Sequence, residues 1–346
     1  MNNLLIKTKI EKIIKQLDLN LKDKIVLTEA ATGVYAVTPV IAAVAGAEVY
    51  ALAKTSKFGS KKDAFNKVCK LAQEFKNKKI HFINELDSKV LAKVDIITNS
   101  GHLRPLNKEK LRQLKSGCVI SLMYEKWELR DQDVNMEFCR KRNIPVGAVI
   151  ETHPDLDIFG YHGDMALKLI LDAGLCPYGN KFILISNTRL GPYIARTLSK
   201  ACLKLGVIDI NNNRSLYPVS VDWLDNFPGF NITKEYYDTQ AIILVTWPLQ
   251  KNYLGQNSPI SIKEIKNKIQ IPMILRFAGD IDSAFLKKEG IQFYPKRVDR
   301  GHMGILPSQI GYDPIIKLQA GGLKVGQALI EKNYFYHKER ICDVLD

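Results

Sequence analysis

The stretch 24–55, KIVLTEAATGVYAVTPVIAAVAGAEVYALAKT, decides the fold class. It opens on an apolar, β-branched run, Lys24-IVLTE, and turns at Ala30–Gly33. An apolar helical interval over 35–46 follows, and a second strand-like run, Glu48-VYALAKT, closes it. Strands that are apolar throughout, joined by a helix, predict parallel pairing with both sheet faces covered. The rhythm continues outward through Lys79-IHFI, Val94-DIITNS, Cys118-VISLMY and Pro145-VGAVI, with helical intervals at 61–75 and 107–115. Upstream, Leu4, Leu5, Ile10, Ile13, Ile14 and Leu17 draw a helical stripe over 4–17.

The rhythm breaks at 160–174, GYHGDMALKLILDAG. This segment reads as a helix apolar on most sides and buried between two domains, ended by Gly174 and Pro177. A second series follows: Lys181-FILISN, a helix over 191–205, Gly206-VIDI, Gln240-AIILVTW, a helix over 261–268, Ile271-PMILRF and Ile291-QFYPK. A long helical run over 310–332 contains Gly321, Gly322 and Gly326. The expected division is a first α/β domain over 1–158, an interdomain helix over 159–178 and a second α/β domain over 179–305. A C-terminal helical segment over 306–346 is expected to pack back across the lobes, and a ligand crevice to lie between them.

The chain of 346 residues is 46% hydrophobic and 25% charged, which suits two globular domains and excludes disordered, collagenous and coiled-coil classes. No run reaches the roughly 20 apolar residues of a membrane helix, and the first residues lack a signal-peptide core. A cytoplasmic location is expected. Six scattered cysteines without a CxxC form neither a disulfide framework nor a zinc ribbon. The net charge of +14 favours anionic partners. No basic stripe carries interleaved aromatics for base stacking, so the expected partner is an anionic small molecule rather than nucleic acid. No membrane partner is expected, and a homo-oligomer is compatible with this reading.

In open α/β sheets the ligand sits outside the carboxyl ends of the strands. The residues found there are Glu29 and Gly33 after the first strand, Lys54 and Lys57 after the second, and Gly101, His102 and Arg104 after the fourth. Glu125 and Arg130 follow the fifth, and Glu151 and His153 the sixth. Glu29 and Glu125 are candidate bases. His153 and His302 (in Arg300-GHMG) are candidate proton carriers, because histidine titrates near neutrality. Arg104, His102, Lys168 and Arg130 are candidate substrate clamps, Arg104 through bidentate contact with a carboxylate or phosphate. Lys168 stands i+4 from Asp164. No set of residues has the spacing of a metal site.

The dinucleotide fingerprint GxGxxG is absent. The second series instead has Ser186-Asn-Thr-Arg-Leu-Gly191 after its first strand, and Asp209 eighteen residues beyond Gly191, near the spacing of a ribose-binding acid. Asn187, Gly191 and Asp209, with Gly33 and Gly101, are the candidate cofactor contacts. Lys54 and Lys57 suit a phosphate better than a bare ribose diol.

The segment Asn99-SGHLRPLNKEKLRQLKSGCVI, through Leu111, Leu114, Lys115, Gly117, Val119 and Ile120, resembles the D-2-hydroxyacid dehydrogenase and S-adenosylhomocysteine hydrolase superfamily. The resemblance implies two Rossmann-like domains, NAD or NADP as cofactor and a late catalytic histidine, which by position is His302. That family's glycine fingerprint is missing from both halves. The expectation is a nicotinamide-dependent oxidoreductase acting on a small anionic metabolite. The alternatives are a non-redox transferase, ligase or lyase on the same scaffold, and a non-catalytic nucleotide or metabolite binder.

Overall fold

The structure, a computed structural model, describes residues 2–76, 79–270 and 273–345. Residues 1–158 and 311–346 make one unit and 159–310 a second. In the first, helix α1 (Asn3–Gln16) precedes β1 (Ile25–Glu29), α2 (Val37–Val44), β2 (Glu48–Leu52), α3 (Lys61–Gln73) and β3 (Ile80–Ile83). The strands β4 (Ile96–Thr98), β5 (Val119–Ser121) and β6 (Val146–Val149) follow. All six are parallel, in the order β3-β2-β1-β4-β5-β6. Val26 and Leu27 point to opposite faces and both are fully buried, which is why β1 reads as a continuous apolar run. α2 buries seven consecutive residues, Val37–Ala43. α3 is started by a capping box in which Ser60 and Asp63 bond each other's backbone N–H.

The second unit begins with α4 (His162–Asp172), then β7 (Lys181–Ser186), α5 (Leu190–Ala201), β8 (Lys204–Asp209) and β9 (Asp222–Asn226). It continues through β10 (Ala241–Val245), β11 (Met273–Ala278) and β12 (Gln292–Tyr294). These strands are also parallel, in the order β12-β11-β10-β7-β8-β9. The Ile271 and Pro272 of the expected fourth strand of this series lie outside the described residues. The edge strand β9, DWLDN, escapes a sequence reading because it is polar and only half-buried. α4 corrects the interdomain expectation. Met165, Ala166, Leu169 and Ile170 enter the second unit's own core, while Asp164 and Leu171 are exposed, so the helix is amphipathic and belongs to this unit.

The chain then returns to the first unit as α6 (Tyr312–Glu331), which packs on α1, α2, β4, β5 and β6. It stays one helix through its glycines because they let it lie close to the sheet. A Cβ on Gly322 would fall 2.5 Å from Met123 Sδ, and one on Gly326 2.7 Å from Ile96 Cγ2. The expected C-terminal helical segment in fact ends in a strand, β13 (Cys342–Leu345), antiparallel to β6.

Candidate active site

In the first unit the strand order reverses between β1 and β4, and a crevice outside their carboxyl ends is the default ligand position of such a sheet. β1 delivers Glu29 there and β4 delivers Asn99 through Arg104. Gly101 has φ +40°, and a Cβ on it would lie 1.8 Å from the Glu29 carboxylate. Only glycine lets this loop pass against that side chain. His102 Nε2 stands 3.7 Å from Glu29 Oε1. Burial raises the pKa of Glu29, opposed by the nearby charges of His102 and Arg104 and by the His102 backbone N–H.

Arg104 is held from behind. Its Nη1 lies 3.7 Å from Asp133 Oδ2, which accepts a 3.1 Å bond from the Tyr124 hydroxyl. The same hydroxyl accepts from Asn99 Nδ2. Asn99 is 1% exposed, and its Oδ1 has no hydrogen-bond partner among the described residues. An orphaned acceptor at the end of a central strand is costly unless something donates to it. Lys110 donates to the carbonyls of Leu103 and Pro105, fixing the loop that carries Arg104. Burial lowers the Lys110 pKa, as does the charge of Lys54, so the basic corner includes both lysines.

A second layer of acid comes from β5 and β6. Glu125 Oε1 accepts from the Glu151 N–H at 3.0 Å, and Glu128 Oε1 from the Glu125 N–H at 3.3 Å. The Trp127 indole donates to Glu125. Burial, then the charge of Glu125, pushes Glu128 up to about 7, against Arg130 and Arg104. Burial and both neighbouring carboxylates hold Glu151 well above the usual range. Arg130 also lines a surface cavity with Asn107 and Met136. Among the described residues, no group of three or more His, Cys, Asp or Glu side chains is placed to hold a metal ion.

The structure therefore gathers Glu29, Gly101, His102, Arg104, Glu125 and Arg130 at one sheet edge, and Gly33 stands exposed at the turn after β1. It adds Asn99, Tyr124 and Asp133, which the sequence reading did not single out. Asp133 reaches the site through a bridge that pairs Leu106 with Val134, a tertiary link with no local signal.

The other candidates lie elsewhere. The His153 side chain is fully buried, with Nε2 donating to the Tyr336 carbonyl and Nδ1 accepting from Asp155 N–H, so it is a structural histidine. His302 belongs to the second unit, where Nδ1 donates to the Arg300 carbonyl. Its loop is fastened by the buried Arg276–Asp280 pair: Arg276 donates to the His302 carbonyl, and Asp280 accepts from Gly301 N–H. Lys168 pairs with Asp172, not Asp164, on an exposed helix face. Asn187, Gly191 and Asp209 do lie together at the carboxyl edge of the second sheet. Asp209 is fully buried, however, and accepts from the Tyr217 hydroxyl at 2.5 Å, from Ile210 N–H at 2.6 Å and from Asn213 at 3.2 Å.

No protein-family model matches the chain, and no curated protein matches it. Solved structures do. Dipicolinate synthase from Bacillus subtilis is 12% identical, with 91% of this chain and 99% of that one covered at a TM-score of 0.58. Dipicolinate synthase from Bacillus halodurans is 13% identical, covering 92% and 100% at 0.53. D-lactate dehydrogenase with NAD+ from Lactobacillus jensenii is 14% identical, covering 84% and 98% at 0.50. Among the described residues no helix is long and apolar enough to cross a membrane. At these identities the likeness is one of fold alone, that of a chain built of two Rossmann-type α/β units.

Proposed function

We propose that the chain is a nicotinamide-dependent oxidoreductase acting on a small anionic metabolite, with its acid–base groups and anion clamp in the first unit. The observation that carries this reading is the Glu29–His102–Arg104 arrangement. It sets a carboxyl of raised pKa 3.7 Å from an imidazole, beside a guanidinium whose side chain is 37% exposed. The fold neighbours add weight, since one is a D-lactate dehydrogenase solved with NAD+.

Two features of the first unit fit a nucleotide. Among the described residues, Asn99 Oδ1 has no donor and nothing lies within 4 Å of a Cβ placed on Gly33. Both flank the strand reversal, with Lys54 and Lys57 after β2. A bound nicotinamide would supply or accept the hydride. Arg104, braced by Asp133, binds the substrate carboxylate. His102 gives or takes the proton at the substrate oxygen, and Glu29 orients the imidazole.

A second reading, non-redox proton transfer at the same residues, is favoured by the acid layer, where Glu128 and Glu151 are both shifted toward the protonated form. Steady-state assays with 2-oxo and 2-hydroxy acids and all four nicotinamide nucleotides separate the two. The expected result is nucleotide-dependent turnover that His102→Ala lowers about 100-fold, while Arg104→Ala mainly raises KM. Anion binding without any nucleotide-dependent turnover across that panel would replace the first reading with the second.

A further inference from the structure

The second unit has the strand order of a dinucleotide-binding sheet, and its reversal falls between β7 and β10. In that fold the first turn holds the pyrophosphate, an acid ending the second strand holds the ribose, and the crevice at the reversal admits the rest. Here each of the three positions is taken by the chain's own side chains.

The turn has the length of the fingerprint, Ser186-Asn187-Thr188-Arg189-Leu190-Gly191, with hydroxyls at the first two glycine positions. Ser186 Oγ accepts from Thr188 N–H at 3.1 Å, and Thr188 Oγ1 accepts from Leu190 N–H at 3.1 Å. Those amides would otherwise face an anion. Thr188 also puts a side chain where glycine lets the backbone approach the phosphates. The surviving Gly191 is covered: a Cβ there would meet the Tyr217 hydroxyl at 2.2 Å and Ser186 Oγ at 2.8 Å.

The ribose position is Asp209, and it is saturated. Its carboxylate accepts from Tyr217, Asn213 and Ile210, and Asn213 also donates to the Thr188 carbonyl at 3.0 Å, tying the acid to the turn. A ribose diol needs acceptor capacity that these bonds use up. Across the reversal, the Asn187 amide donates to the Trp247 carbonyl and accepts from Trp247 N–H, both at 2.8 Å. That bridge joins the turn after β7 to the end of β10.

We infer that the second unit keeps the dinucleotide fold but binds no dinucleotide, its crevice being closed by Ser186, Thr188, Asn187 and the Asp209–Tyr217–Asn213 network. This stands apart from the proposed oxidoreductase reading and assigns any nucleotide the protein takes to a place other than this crevice.

The test uses the full chain with NAD, NADH, NADP and NADPH. Hydrogen exchange is followed with and without each nucleotide, and dissociation constants are measured for wild type, Asp209→Asn and Tyr217→Phe. If a nucleotide binds, exchange at 186–191 and 209–217 should be unchanged, and both variants should bind within tenfold of wild type. Nucleotide-induced protection of those two segments overturns the inference. So does a tenfold or greater loss of affinity in either variant with its circular dichroism intact. If either variant fails to fold, exchange in the wild-type chain decides alone. A wild type that binds none of the four supports the closed crevice while removing the nicotinamide from the proposed function, so the two fail separately.

Discussion

Replacing Glu128 by Gln should stabilise the first unit at alkaline pH and leave it unchanged in acid. The Glu128 carboxyl titrates at about 7 in the fold instead of 4.5. The first cause is burial, opposed next by the bond from Glu125 N–H; the charge of Glu125 adds to the rise, and Arg130 and Arg104 oppose it. Below about pH 4.5 the group is protonated whether the chain is folded or not, and it costs nothing. As pH rises the unfolded chain releases the proton first, so stability falls until the folded group also ionises, near pH 7. At about 1.36 kcal/mol per tenfold change in proton affinity, the cost above that point is about 3 kcal/mol. Gln keeps the oxygen that accepts from Glu125 N–H and removes the charge. Urea unfolding read through Trp127 fluorescence, in a chain carrying Trp223→Phe and Trp247→Phe, isolates the first unit. The variant should match its parent at pH 4 and exceed it by about 2–3 kcal/mol at pH 8. Equal stability at pH 8, or the same loss at both pH values, would show that the Glu128 carboxylate is not desolvated and would refute the account of the acid layer.

Two further outcomes follow from single residues. Gly101→Ala places a Cβ on the Glu29 carboxylate and strains a backbone at φ +40°. It should cost about 1–2 kcal/mol of stability and, by moving Glu29 off His102, about 100-fold in kcat/KM; near-normal kinetics would remove Glu29 from the site. Arg276→Met removes the buried partner of Asp280, leaving it only the exposed Arg300 at 3.9 Å and the Gly301 N–H, and should destabilise the second unit by about 3 kcal/mol. Calorimetry checks this, and a loss under about 1 kcal/mol would mean that water reaches Asp280.

The central strands were legible because the middle of a doubly covered parallel strand is apolar on both faces, as in residues 25–27 and 182–185. The edge strand β9 and the terminal β13 carry no such demand, since each has one neighbour. The gathering of Glu29, His102 and Arg104 at one sheet edge was legible because they end or follow neighbouring parallel strands. Asp133 and Tyr124 were not, since their bond is made across a loop that folds back through Leu106 and Val134. His153 misled for the converse reason. It follows a strand, but its ring nitrogen bonds the carbonyl of Tyr336, a partner 183 residues away.

Asp209 shows why spacing alone could not separate the two units. Both sheets reverse their strand order at the same place, and both set an acid beside a turn there. In the second unit the acid's oxygens are taken by Tyr217, Ile210 and Asn213, and such a satisfied network adds rigidity at low energetic cost. Burial shifts the carboxyl of both units toward its neutral form, but the first unit's crevice also holds a buried amide oxygen with no donor among the described residues. That oxygen is unfavourable for folding and gains when something donates to it. The difference lies in polar satisfaction, and it comes from residues as remote as Tyr217 and Asp133, which no reading of the turn itself reaches.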